Sequence, residues 1–209
     1  MRVQRAKVKR VRLDTLEGQV IVSPRTGARM MILDLPRKGH DELTVMRLLK
    51  PGQRWTPEHV HLDFSERFEV LAGIADAKHA GKKLRLGLHE VHYVGKGVRH
   101  MNLRNNDITD LVYLQTFTPA TEGARGYVST LAQVLRDGRD DDGEVPWPLV
   151  LAIGDVTRER TYVAGRVPYL IQRRALLPLG NYVAGTLGHR VQLARKPRKA
   201  EAATGELSA

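Results

Sequence analysis

No cysteine occurs in the 209 residues, which excludes disulfides, thiolate metal ligation, iron–sulfur clusters and a cysteine nucleophile. Long apolar runs are missing too. Nothing approaches the roughly 18 consecutive apolar residues that a membrane-spanning helix needs, and the basic start MRVQRAKVKRVRLD is not followed by the apolar core of a signal peptide. The expectation is a soluble, unsecreted, cytoplasmic protein. Aromatic residues are scarce at 5%, and the strongly basic ends hold no Phe, Tyr or Trp. A nucleic-acid site wants basic residues interleaved with aromatics or carried on a recognition helix, so nucleic acid is not an expected partner.

What is present is enough apolar residue, 42% of the chain, to bury one good core with room for an appended element. The formal charge of +11 is unevenly placed. Residues 1–12 carry six Lys/Arg and no acid, residues 190–209 carry five Lys/Arg against two Glu, and the body between them is left at +2. Such clusters are ordinarily solvated ends. A weak anionic partner, including a membrane surface, stays open.

From Val8 to about Thr118, short segments rich in Val, Leu and Tyr alternate with turn punctuation such as SPRTG, PRKGHD, HAGKK and RNND. This is the spacing of an all-β sandwich or barrel. Pro119 closes the strand-like LVYLQTFTP, and helical spacing follows in YVSTLAQVLR, with apolar positions at Val128, Leu131, Val134 and Leu135. Two further helices are expected over PLVLAIGDVTRERTYV and VPYLIQRRALLPLGNYVAGTL, the second kinked or split at Pro178. The chain thus divides into a barrel with a basic N-terminal strand (1–120), a helical extension (121–190) and a disordered basic tail (191–209). The acidic loop DGRDDDGE fails the calcium-loop pattern and reads as solvated, and GKGVRH lacks the third glycine of a dinucleotide fingerprint.

The stretch HVHLDFSE carries the chemistry. Side chains alternate along a strand, so His59 and His61 point the same way. In the next strand Glu66 shares a face with the apolar Phe68 and Val70, where an unpaired carboxylate is costly. The four residues LDFS allow a tight turn that returns Glu66 beside the histidines, and the glycine-rich VGKGVRH offers His100 as a third imidazole. A carboxylate and imidazoles facing one point ask for a cation.

These residues resemble the two signature motifs of the cupin superfamily. His59, His61, Glu66 and Gly73 fall in register with the first, while Gly52 stands one residue too far upstream. Gly97 and His100 match the second, with Gly95 in place of its proline, His89 in place of its leading glycine and Asn105 one residue late. The resemblance implies a mainly β fold, a small jelly-roll barrel with an appended C-terminal helical segment, and one divalent transition metal ion held by His59, His61, Glu66 and His100. A nitrogen and oxygen donor set without sulfur suits Fe, Mn, Ni or Zn and does not choose among them. Four protein ligands on an octahedral ion leave two positions for water, substrate or dioxygen.

Further candidates for pocket walls are Trp55 and Phe64, equally at home in the core, and Tyr93, Tyr113 and Gln115, for which core or rim packing is the stronger reading. His89 and His92 fall on opposite faces, so at most one looks inward. Two functions are in view: a metal-dependent enzyme acting on a small organic molecule, most plausibly an oxygenase (dioxygenase-type oxidoreductase) or an isomerase/cyclase, and a non-catalytic ligand-binding cupin with a docking extension. A homodimer is expected, because KVKRVRL alternates like an edge strand able to cross onto a partner. The helical extension should contribute no metal ligand and bury Leu131, Leu135, Leu149, Ile153, Leu170 and Leu187 on the barrel.

Overall fold

The computed structural model describes residues 5–52, 57–163 and 169–194. Its elements run β1 (Lys7–Val11), β2 (Ile21–Val22), β3 (Arg29–Asp34), β4 (Leu43–Leu49), β5 (His59–His61), β6 (Ser65–Ala72), β7 (Ala75–His79), β8 (Lys82–Leu86), β9 (Val91–Val94), β10 (His100–Arg104), β11 (Leu111–Thr118), α1 (Glu122–Arg136), α2 (Trp147–Thr157), β12 (Thr161–Val163), α3 (Tyr169–Ile171), α4 (Leu177–Thr186) and β13 (Arg190–Ala194). One sheet is ordered β2-β3-β4-β11-β6-β9, the other β12-β5-β10-β7-β8, and β1 pairs with β13 in a separate two-stranded sheet. Counting β4 to β11 as strands one to eight, the sheets read 1-8-3-6 and 2-7-4-5. That is the strand order of a jelly roll, with two facing antiparallel sheets.

The alternation seen in the sequence is what fills the barrel. In β4, Leu43, Val45, Arg47 and Leu49 are buried and the intervening residues are not, and in β6 the buried set is Ser65, Glu66, Phe68 and Val70. Leu111, Tyr113, Gln115 and Phe117 of β11 complete the same inner face. The inner face is mainly apolar, with Arg47, Glu66 and Gln115 as its buried polar exceptions.

Beyond residue 120 the segment is only partly helical. Thr121 caps α1 by accepting from the amide of Ala124, which starts the helix at Glu122, earlier than the apolar periodicity suggests. α2 ends where Arg158 adopts φ 58°, and TYV, expected to continue the helix, instead forms β12 antiparallel to β5. The β-branched Thr161 and Val163 suit a strand, and β5 offers an open edge. Around Pro178, which has no N–H to donate to the preceding turn, a π-helical segment Gln172–Leu176 joins α3 to α4, as the expected kink requires.

Several expectations are corrected. Residues 191–194 belong to the paired strand β13 and not to a tail, while 195–209 lie outside the described residues. β1, read as an edge strand, pairs in parallel with β13 of the same chain. Leu131, Leu135, Leu149 and Ile153 are buried, but Leu170 and Leu187 are exposed. The acidic loop is not simply solvated. Asp140 is buried, accepting from the hydroxyls of Ser23 and Thr26 and the amide of Gly143, and Glu144 is buried against Arg47. Among the described residues no helix is long and apolar enough to cross a membrane.

Candidate metal centre and its cavity

β5 and β10 are antiparallel neighbours with His59 directly opposite His100, so three imidazoles arise from two adjacent strands of one sheet. Glu66 reaches them from β6 in the facing sheet. Ligand atoms of His59, His61, Glu66 and His100 all lie within 4.8 Å of one another. His100 Nε2 is 2.7 Å and His61 Nε2 3.5 Å from Glu66 Oε2. Gln115 Nε2 donates to the other carboxylate oxygen, Oε1, at 2.9 Å, which orients Glu66 from the neighbouring strand β11.

The outward nitrogens are equally ordered. His59 Nδ1 lies 3.0 Å from the carbonyl of Pro57, and His100 Nδ1 lies 3.0 Å from that of Val98. A carbonyl only accepts, so in both rings Nδ1 carries a proton and Nε2 is the nitrogen turned to the cluster. His61 Nδ1 meets the Thr161 hydroxyl at 2.7 Å, a partner supplied by β12. Anchoring one imidazole nitrogen so that the other is aimed at a common point is how proteins prepare histidines for a metal.

Electrostatics follows from burial and crowding. Burial, then the neighbouring His100, holds His59 down to about 4, and burial holds His61 well below the ordinary imidazole range. Burial alone would raise Glu66, but the three imidazoles, led by His61, bring its carboxyl down to about 2. His100 goes the other way: burial is outweighed by its hydrogen bond to Glu66, and its pKa is raised.

A cavity of about 70 Å³ opens beside this group, lined by His59, His61 and Glu66 together with Phe64, Phe117 and Trp147. That is room for a handful of water-sized groups at roughly 10–15 Å³ each. Phe64 stacks on His61 at 4.1 Å between ring centroids, and Trp147 stands edge-on to His59 at 6.2 Å. Of the other residues proposed as walls, Gln115 lines the cavity. Tyr113 is fully buried beneath Arg47 and Phe68 and does not line it. Tyr93 is a correction: it sits opposite Arg67 on the outer face of β9 and is 61% exposed, while His92, opposite Phe68, is the inward residue. His89 is exposed in a turn, and Trp55 lies outside the described residues.

Among the lining residues not anticipated, four bear on the chemistry. Asn102 is two positions beyond His100 on the same strand, and that period of two could have marked it. Trp147, Glu159 and Thr161 come from the segment expected to be an external helical appendage, and no local pattern ties them to the barrel. Glu159 is the most notable. Its carboxylate accepts from Thr121 Oγ1 at 2.9 Å and occupies space left by Gly123, where a Cβ would fall 1.4 Å from Glu159 Oε2. Burial pushes its pKa up to about 7 against the pull of the Thr121 hydrogen bond.

No family model and no curated protein matches this chain. Solved structures similar to it include a cupin 2 conserved barrel domain protein from Salinispora arenicola, 19% identical over 44% of this chain and 76% of that one with a TM-score of 0.37. KdgF from a Halomonas species is similar at 17% over 49% of this chain and 94% of that one, TM-score 0.39. A sugar phosphate isomerase from a cupin superfamily of Silicibacter pomeroyi is similar at 14% over 53% of this chain and 75% of that one, TM-score 0.40. A protein from Acidithiobacillus ferrooxidans is 18% identical with a TM-score of 0.34, covering 37% of this chain, and this chain spans only 49% of its length. At these identities the likeness says nothing of activity, and the fold rests on the strand order itself.

Proposed function

We propose that this cupin-type jelly roll holds one divalent transition metal ion on His59, His61, Glu66 and His100, and that the adjoining cavity binds a small organic molecule on which the ion acts. The observation that carries this reading is the anchoring of all three Nδ1 atoms to Pro57, Thr161 and Val98, which leaves each Nε2 turned toward the one buried carboxylate. Three nitrogens and one oxygen without sulfur fit Fe, Mn, Ni or Zn. Such an ion, when bound, supplies Lewis acidity toward an oxygen ligand and acidifies bound water, or with iron activates dioxygen.

The chain's own residues do the rest. Gln115 fixes the orientation of the Glu66 carboxylate, Phe64 and Trp147 keep water from the imidazole faces, and Glu159 can hold or release a proton near neutral pH at the cavity wall. The reaction classes this suits are oxygenation and isomerisation or cyclisation of a small substrate. A second reading, a binding module without turnover, is favoured by one feature: Glu66 already accepts from both His100 and Gln115, so the cluster is satisfied as a hydrogen-bonded group.

Metal loading separates the two. Protein stripped with chelator and refilled in turn with Fe, Mn, Ni and Zn should take up close to one equivalent of at least one ion by elemental analysis. Uptake of none would overturn the metal centre and leave the binding module.

A further inference from the structure

Lys7, Lys9 and Arg190, near the two ends of the chain, play no part in the cluster above, yet the fold brings their strands together. β1 and β13 pair in parallel with Lys7 opposite Arg190 and Lys9 opposite Gln192. Like charges facing each other on adjacent strands repel. Neighbouring Arg10 and Arg12 are paired with Glu122 and Asp14. Among the described residues, no carboxylate pairs with Lys7, Lys9 or Arg190.

Beside this sheet lies a second cavity of about 280 Å³, with Lys9, Arg139, His189 and Arg190 in its wall. Among the described residues its one acidic lining residue is Asp137, whose carboxylate accepts from Gln133 Nε2. Arg139 is held in place by donating to the carbonyl of Leu187 at 2.8 Å, at the end of α4, so its charge is fixed at the site. Burial and the charge of Arg139 keep His189 below the ordinary imidazole range, so at neutral pH it is an uncharged hydrogen-bonding group. Three cations against one carboxylate leave the wall at +2.

We propose that this cavity is an anion site that takes a phosphate group, free or borne on a small organic molecule. A phosphate dianion matches the net charge of the wall, and its oxygens suit guanidinium and ammonium donors converging from β1, β13 and the α1–α2 connection. The cavity exceeds the size of the group alone, so an organic remainder fits with it. The site is independent of the metal centre and stands or falls without it.

Calorimetric titration of chelator-treated, full-length protein with inorganic phosphate at low ionic strength tests it. Saturable one-site binding that weakens with added salt is expected, because exposed charges are screened. Lys9→Gln and Arg190→Gln should each weaken it by up to about fivefold, the limit for an exposed charge contact, and the double variant should weaken it further. Lys83→Gln, on β8, and His100→Ala should leave it unchanged, and thermal melts confirm that each variant is folded. Absence of saturable binding overturns the proposal, as does binding unaffected in the double variant. Sedimentation with phosphatidylglycerol vesicles but no binding of soluble phosphate would also overturn it, in favour of a membrane surface.

Discussion

His100 spends Nδ1 on a backbone carbonyl and turns Nε2 to Glu66, so it closes the ring of donors from the opposite strand to His59. Truncating it removes one donor and leaves the others in place. His100→Ala should abolish near-stoichiometric metal uptake and, with it, the rise in melting temperature expected of wild-type protein on metal addition; a ligand at a hundred times its Kd stabilises by about 2.7 kcal/mol. A metal-dependent rise that survives in the variant would place the ion elsewhere. Glu159 makes a different prediction, through pH. Its folded pKa, about 7, lies above the unfolded value of 4.5, so its contribution to stability is intact below pH 4.5 and is lost as pH rises through 7. The full swing is on the order of 3 kcal/mol at 1.36 kcal/mol per pKa unit. The measurement is the difference between wild type and Glu159→Gln in denaturant titrations at pH 5 and pH 8, which cancels the contributions of groups common to both proteins. The variant should gain stability relative to wild type at the higher pH, and a difference independent of pH would refute the assignment.

At the scale of elements, β12 is the piece that joins the C-terminal segment to the histidine cluster. It extends the β5 sheet and presents Thr161 to His61 Nδ1 at 2.7 Å, fixing the ring whose other nitrogen faces Glu66. Outer-shell partners of this kind are worth about tenfold or more in metal affinity. Thr161→Val keeps the shape and β-propensity of the residue and removes only the hydroxyl. Metal affinity measured by competition with a chromophoric chelator should fall about tenfold, with the far-ultraviolet circular dichroism unchanged. Equal affinity in the two proteins would mean that β12 only covers the sheet edge.

Across the whole molecule, barrel and C-terminal segment are joined by a buried charge pair. Arg47, inward on β4, donates to the carbonyl of Gly143 at 2.5 Å and lies 3.1 Å from Glu144, which also accepts from Tyr127 of α1 at 2.5 Å. Arg47 is 1% exposed. Removing one partner strands the other charge in the interior, so Arg47→Met should cost about 3–5 kcal/mol in urea unfolding, and replacing Arg47 and Glu144 together with Met and Leu should cost much less. If the double variant is as unstable as the single one, the pair is not what holds the two parts.

The sequence by itself determined the barrel and its donors. Period-two alternation is a local property of a strand, so the inward set Glu66, Phe68 and Val70 was legible, as was the shared face of His59 and His61. The spacing of turn residues carried the positions of most strands, and Thr121 marked the start of α1 for anyone weighing caps above periodicity. Tyr93 shows the limit even there, because its side depends on which residue of β6 it faces, a matter of register between strands. Only the tertiary structure decided that TYV would be a strand at the free edge of β5, that Glu159 would sit in the gap at Gly123, and that Asp140 and Glu144 of an acidic loop would be buried. It also decided that β1 and β13, near the two ends of the chain, would lie side by side. The physical reason is common to all four: each depends on a partner from a distant part of the chain, and local propensity is too weak to specify a contact whose energy is realised only when the two segments meet.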